Sequence, residues 1–140
     1  MKLTTYLNFG GNCIDALHFY EENLGAKILM TSAFGDMPGA APMPPERARQ
    51  LMHARILFGD VMVMASDGPP DDSWQPMRSA YMALSVDSNE EAERIYAVLT
   101  EGGEIFMKME ETFFAHRFAM LRDKFGVNWM IIHEKPMPRG

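Results

Sequence analysis

His53, His116 and Glu111 are the side chains of this sequence whose types could do chemistry together. Two imidazoles and a carboxylate can hold a divalent metal, or can supply a general acid and a general base near neutral pH, where imidazole titrates. His53 opens one predicted third strand and His116 another, and Glu111 precedes His116 by five residues. If both imidazoles point inward, they face each other across a cleft. The alternative is plain: strand histidines beside Arg55 and Arg117 can simply hydrogen-bond, and Glu111-Thr112 can be a solvated turn.

Ligand-binding residues form a second group. Tyr81 carries a phenol able to anchor a polar substrate group, although tyrosine is equally a good strand residue. The chain has 14 methionines, and those in predicted strands, Met62, Met64, Met107, Met109, Met120 and Met130, can give a pocket an apolar, adaptable lining. Ordinary gap-filling explains them as well. Met64, Met130 and Phe114 are the apolar residues expected at the ligand, and Trp74 can close over it or bury against a partner subunit. Cys13 reads as a small buried hydrophobe. No Gly-x-Gly-x-x-Gly follows a strand and opens a helix, and no P-loop, His-Glu-x-x-His or Cys-x-x-Cys occurs. Neither a nicotinamide nor a methyl donor of Rossmann type is indicated.

Composition narrows the classes further. With 140 residues the chain is the size of one domain, so any cleft is built within this fold or shared with a second copy. Thirteen Lys+Arg against 19 Asp+Glu give a net charge of −6, the wrong sign for collecting phosphates, so no nucleic-acid partner is expected. Apolar residues make up 47% of the chain but never run long enough to span a bilayer. The N-terminus lacks a signal-peptide pattern and the single cysteine cannot form an internal disulfide, so a cytoplasmic location is expected.

The elements that must position these residues follow from periodicity. Leu3 to Phe9 reads as a strand ended by Gly10-Gly11. A helix follows with Asn12 as N-cap, Asp15 three residues on, a stripe of Cys13, Ala16, Leu17, Tyr20 and Leu24, and a stop at Gly25. Lys27 to Ser32 is strand-like, and the Gly/Pro-rich stretch from Phe34 to Arg49 reads as a long loop, either a lid or a subunit contact. Leu51 to Phe58 and Val61 to Ser66 are strands joined at Gly59-Asp60. After a connector, Ser79 to Val86 reads as a strand. Ser88 and Glu91 then form a capping-box pattern before a stripe of Ala92, Ile95, Tyr96 and Leu99. Gly102-Gly103 closes that helix, and strands follow at Glu104 to Met109, Phe113 to Leu121 and Val127 to His133.

Each half is therefore strand, helix, strand, strand, strand. Tyr20-x4-Gly25-x2-Ile28-x-Met30 is answered by Tyr96-x5-Gly102-x2-Ile105-x-Met107, and Phe58-Gly59-x-Val61-x2-Met64 by Phe125-Gly126-Val127-x2-Met130. The predicted fold is α+β, with paired βαβββ modules at about 1–66 and 79–134 and a connector at 67–78. Such modules can hold their helices outside and leave a concave pocket between curled sheets. On the last strand Val127, Trp129 and Ile131 share one face and Asn128, Met130 and Ile132 the other. If Met130 lines the cleft, Trp129 packs beneath the helices.

Specific strings now carry a resemblance. Tyr6-Leu7-Asn8-Phe9-x-Gly11-Asn12-Cys13, Phe19-Tyr20-x3-Leu24-Gly25, Phe34-Gly35-Asp36-Met37-Pro38, His53-Ala54, Met64-Ala65-Ser66-Asp67, Glu111-Thr112-Phe113-Phe114-Ala115-His116 and Asp123-Lys124-Phe125-Gly126-Val127-x-Trp129-Met130-Ile131 resemble the PhnB/YjdN-like branch of the vicinal-oxygen-chelate (glyoxalase/bleomycin-resistance) superfamily. The likeness spans almost the whole chain. It implies paired βαβββ modules, a ligand cleft between curved sheets and a homodimer. Metal-dependent members of the superfamily place His, Gln or Glu on the first and last strand of each module. The corresponding places here fall near Thr5 or Tyr6, near Val63 or Met64, on Tyr81 and on Met130. None is a usual ligand for an oxygen-seeking divalent ion, so no metal cofactor is expected at the standard site.

The sequence supports three readings of function. The first is a small-molecule binding protein or metal-independent enzyme with a Met-lined cleft, its ligand oriented by His53, His116 and Tyr81. The second is a divalent-metal-dependent lyase or dioxygenase using His53, His116 and Glu111. The third is a drug-sequestering protein of the bleomycin-resistance kind.

Overall fold

The computed structural model describes residues 1–136, which form two compact units, one from Met1 to Gln75 and the other from Pro76 onward. Each is a four-stranded sheet with one long helix on a single face. The first contains β1 (Tyr6–Phe9), α1 (Cys13–Leu24), β2 (Lys27–Ala33), α2 (Pro45–Arg49), β3 (Leu51–Phe58) and β4 (Val61–Asp67), in the sheet order β1-β4-β3-β2. The second contains β5 (Met82–Ser85), α3 (Asn89–Thr100), β6 (Glu104–Glu110), β7 (Ala115–Arg122) and β8 (Asn128–Glu134), in the order β5-β8-β7-β6. In both, the first strand runs parallel to the fourth and the other pairings are antiparallel. The strand-helix-strand-strand-strand repeat is thus present twice with the same pairing. Among the described residues no helix is long and apolar enough to cross a membrane.

The core of the first unit lies between α1 and its sheet. Cys13, Ala16, Leu17 and Tyr20 recur at helical spacing and are fully buried, as are Phe9, Ala54, Ile56 and Ala65 on the strands. Each large side chain among them contributes about 1.5–3 kcal/mol by leaving water. Leu24, expected in the stripe, is only half-buried in the last turn, and Gly25 ends the helix in the left-handed conformation at φ 68°. In the second unit α3 buries Ala92, Ile95 and Leu99, while Leu121, Trp129 and Ile131 complete the core from the sheet. Trp129 is core, as the alternation along β8 predicts. Its indole N–H donates to Asp123 Oδ2 at 2.8 Å, which satisfies a polar group that is costly to bury alone.

The two helices start differently. Ser88 is extended, and its hydroxyl accepts the Glu91 N–H at 3.1 Å, as the capping pattern predicts. The Glu91 carboxylate turns to Arg94 at 2.8 Å, so only half of the reciprocal box forms. Asn12 does not cap α1: its backbone sits at φ −121°, ψ 30°, and its side chain makes no cap hydrogen bond. Asp67, the last residue of β4, supplies the acceptor. Its Oδ1 accepts the Gly11 and Cys13 N–H groups at 2.9 and 3.0 Å, and its Oδ2 accepts that of Leu51 at 2.8 Å.

Several predicted boundaries move. β1 begins at Tyr6 rather than Leu3, whose side chain is exposed. The stretch from Phe34 to Arg49 is not all loop, because Phe34–Asp36 forms a 3₁₀ turn and α2 starts from Pro45, a residue preset for the first helical turn. β4 keeps Asp67, which the connector was expected to hold. β5 is four residues long and starts after Tyr81, because Ser79 adopts φ 56°, which interrupts an extended run. β7 begins at Ala115. Phe113 and Phe114 belong to the turn before it, where Thr112 Oγ1 accepts the N–H groups of Phe114 and Ala115 at 3.3 and 3.0 Å.

Candidate functional site

Strand alternation sorts the first sheet into two faces. Leu7, Phe9, Ala54, Ile56, Val63 and Ala65 are buried beneath α1. The opposite face carries Tyr6, Asn8, Met30, Ser32, His53, Arg55, Met64 and Ser66. Register aligns four of these in one rung across all four strands: Met30 pairs Arg55, Arg55 pairs Met64, and Met64 pairs Tyr6. His53 sits in the neighbouring rung beside Ser32.

Tyr6 Oη lies 3.2 Å from His53 Nδ1, with ring centroids 5.8 Å apart and planes tilted by 31°. With neutral imidazole, either the phenol donates to a bare Nδ1 or a protonated Nδ1 donates to the phenol oxygen; the two arrangements differ in the imidazole tautomer and in the rotation of the hydroxyl. Tyr6 is half exposed, so its hydroxyl is reachable. Below the pair, Asn8 Nδ2 donates to Ser66 Oγ at 3.3 Å. Arg55 is exposed and, among the described residues, makes no ion pair or hydrogen bond.

The second sheet shows a more apolar face away from α3. Met120 pairs Met130, Ala83 pairs Met130, and Phe118 pairs Ile132. Phe114 stands edge-on to Phe118 at 5.1 Å between centroids, and Tyr81 stands edge-on to Phe106 at 6.5 Å. Arg122 on this face is fully engaged: it donates to Asn128 Oδ1 at 3.0 Å and to the Met77 carbonyl at 2.7 Å, and lies over the Phe106 ring at 5.3 Å.

His116 does not share that face. Plain alternation from Phe118 and Met120 would put it there, but the register slips between Ala115 and Arg117. Its ring packs 4.8 Å from that of His133, whose Nδ1 is 2.8 Å from Asn89 Oδ1 at the start of α3. Arg117 likewise bonds Glu93 of α3 at 2.9 Å. Glu111 lies in the turn, where Lys135 Nζ meets its carboxylate at 2.9 Å, and the hydrogen bond from Lys135 holds that carboxyl below the usual carboxylate range. Among the described residues no three of His, Cys, Asp and Glu gather closely enough to hold a metal ion.

Trp74 occupies a third place. Its indole N–H donates to the Asn8 carbonyl at 2.9 Å, and its ring lies on Gly10. Beside it opens a groove of about 490 Å³ lined by Gly10, Gly11, Arg47, Gln50 and Gly68. Arg47 spans this groove, donating to Gln50 Oε1 and the Gly68 carbonyl at 2.8 Å each and covering the Phe34 ring at 3.7 Å. From the sequence, Tyr6 reads only as a poor metal ligand and Arg55 only as a hydrogen-bonding neighbour of His53. The spacing of two between His53 and Arg55 was the available signal, since residues i and i+2 of a strand share a face.

Comparison with known proteins gives consistent relatives. A family model described as 3-demethylubiquinone-9 3-methyltransferase matches residues 1–132. The chain is 37% identical over 145 aligned positions to protein YjdN of Escherichia coli K12, covering 99% of both. It is also 37% identical to protein PA1353 of Pseudomonas aeruginosa, covering 97% of this chain and 99% of that one, with a TM-score of 0.83. A Bacillus cereus PhnB protein, described as a putative 3-demethylubiquinone-9 3-methyltransferase, shares the fold at 22% identity with a TM-score of 0.81, over 95% of this chain and 99% of its own.

Proposed function

Because the chain belongs to the PhnB/YjdN-like branch of the vicinal-oxygen-chelate superfamily, we propose that it binds a small organic molecule against the helix-free face of its first sheet, without the divalent ion used by metal-dependent relatives. The observation that carries this reading is the Tyr6–His53 hydrogen bond, 3.2 Å long, set beside Met64 in the first sheet. The residues at the expected ligand places do not suit an oxygen-seeking ion. Tyr6 and Met64 are register partners and offer a phenol and a thioether, while Met130 pairs Ala83 and Met120. What the first sheet does offer is the Tyr6–His53 hydroxyl–imidazole pair, which can donate or accept one hydrogen bond to a ligand, amid the flexible side chains of Met30 and Met64 that fit around its body.

The fold lends no support to methyl transfer, the activity in the family model's description. A Rossmann-type donor site needs a glycine-rich turn at the carboxyl ends of a parallel sheet, whereas each sheet here has one parallel pair and two antiparallel ones.

The test is metal analysis of protein purified without chelators, run beside a thermal-shift screen of small organic molecules. Expected are a substoichiometric metal content and hits whose stabilisation falls in Tyr6→Phe and His53→Ala. Stoichiometric metal that disappears in His53→Ala or His116→Ala would overturn the proposal in favour of a metalloenzyme.

A further inference from the structure

The first sheet carries a charge pattern unlike the rest of the chain. The protein as a whole is acidic, with a net charge of −6, yet the four strands β1 to β4 contain a single carboxylate, Asp67. Both oxygens of Asp67 are taken by three backbone N–H groups, so it neutralises no side chain on the sheet. Arg55 projects from the middle of the opposite face, between Met30 on one side and Met64 on the other, and no carboxylate stands in its rung. A guanidinium normally finds a carboxylate or a carbonyl. Here, among the described residues, it has neither.

Resting on the small-molecule reading above, we propose that Arg55 is the anchor for an oxyanion, so that the ligand is an organic acid: a carboxylate or phosphoryl group on an apolar body. Three features fit that chemistry. The planar guanidinium offers paired N–H donors that match two oxygens of one acid group. Its flanking thioethers lower the local polarity, which strengthens the attraction to an anion relative to open water. In the register, Tyr6 follows Met64 on the side of Arg55 away from Met30, and its hydroxyl, held by His53, is placed to read a further polar group on the same molecule. The aliphatic part of the ligand then lies along Met30 and Met64.

The experiment uses the full chain, labelled with ¹⁵N and titrated with benzoate, phenylphosphonate, benzyl alcohol and benzylamine in turn. Benzoate and phenylphosphonate are expected to shift the Arg55 side-chain N–H resonance and the Tyr6 and Met64 amides. Benzylamine should not. Arg55→Met, which continues the thioether row and leaves the core untouched, should weaken the acids by about tenfold or more. It should leave benzyl alcohol unchanged. Whichever of benzoate and phenylphosphonate binds tighter identifies the acid class. If benzyl alcohol moves the same resonances as strongly as the acids, or if Arg55→Met binds benzoate as well as the parent, the anion anchor is overturned while the small-molecule reading survives. If none of the four probes touches this face, both fail.

Discussion

The carboxylate of Asp67 accepts the backbone N–H of Cys13 at 3.0 Å, joining the end of β4 to the start of α1 across 54 residues of sequence. The same side chain holds Gly11 and Leu51. One buried acid therefore fixes the turn after β1, the first turn of the helix and the beginning of β3.

Asp67→Ala should be among the most destabilising substitutions at a polar position. It strips the acceptor from three N–H groups, two of them in buried surroundings, and a loss of about 3 kcal/mol is expected. Urea denaturation of the variant measures it. A midpoint unchanged from the parent would mean that water replaces the carboxylate without cost.

Cys13 should behave as an inert thiol. Burial, with the nearby Asp67 carboxylate adding to it, pushes its pKa well above the ordinary thiol value. At pH 8 an aromatic disulfide reagent should label the native protein far more slowly than the urea-unfolded chain. Equal rates would show that α1 opens readily.

Gly10→Ala should dislodge Trp74. A methyl group at Gly10 would come within 3.0 Å of the indole carbons Cδ2 and Cε3, so the ring must shift and its bond to the Asn8 carbonyl must stretch. A change in tryptophan emission with a stability loss of about 1 kcal/mol is expected. Trp129 is buried elsewhere and serves as the constant signal, and the difference should vanish in the Trp74→Phe background.

Lys135→Met should raise the Glu111 pKa toward its ordinary value, as read from the carboxyl carbon by NMR titration. The folded-state pKa is held down chiefly by the hydrogen bond from Lys135. A depressed folded pKa adds stability that is present above the unfolded value and is lost as pH falls through the folded one, so the parent should lose this increment in acid and the variant should have none to lose. Identical titration curves for the two proteins would mean that the pair does not form in solution.

Much of this architecture was legible because it is local. Ser88 and Glu91 lie three residues apart and announce α3, and the stripe of Ala92, Ile95 and Leu99 marks its buried side. The start of α1 was misread because its acceptor comes from Asp67, which no short window can connect to Cys13. The alternation along β8 correctly separated Trp129 from Met130. The same alternation misplaces His116, because the slip between Ala115 and Arg117 changes the face on which the imidazole emerges, and such a slip leaves no mark in residue types. Tyr6 and His53 are paired through β4, which lies between their strands in the sheet order, so their hydrogen bond became visible only with the sheet order in hand.

For the proposed organic-acid ligand, the row of Met30, Arg55, Met64 and Tyr6 has a bearing on selectivity. Thioether chains turn freely about three bonds, so a guest's outline is accommodated by its bed and is not copied from a rigid mould. Discrimination among guests then falls to one fixed positive charge and one hydroxyl. On the proposed reading, such a face sorts compounds by where their polar groups sit and stays tolerant of the hydrocarbon that joins them.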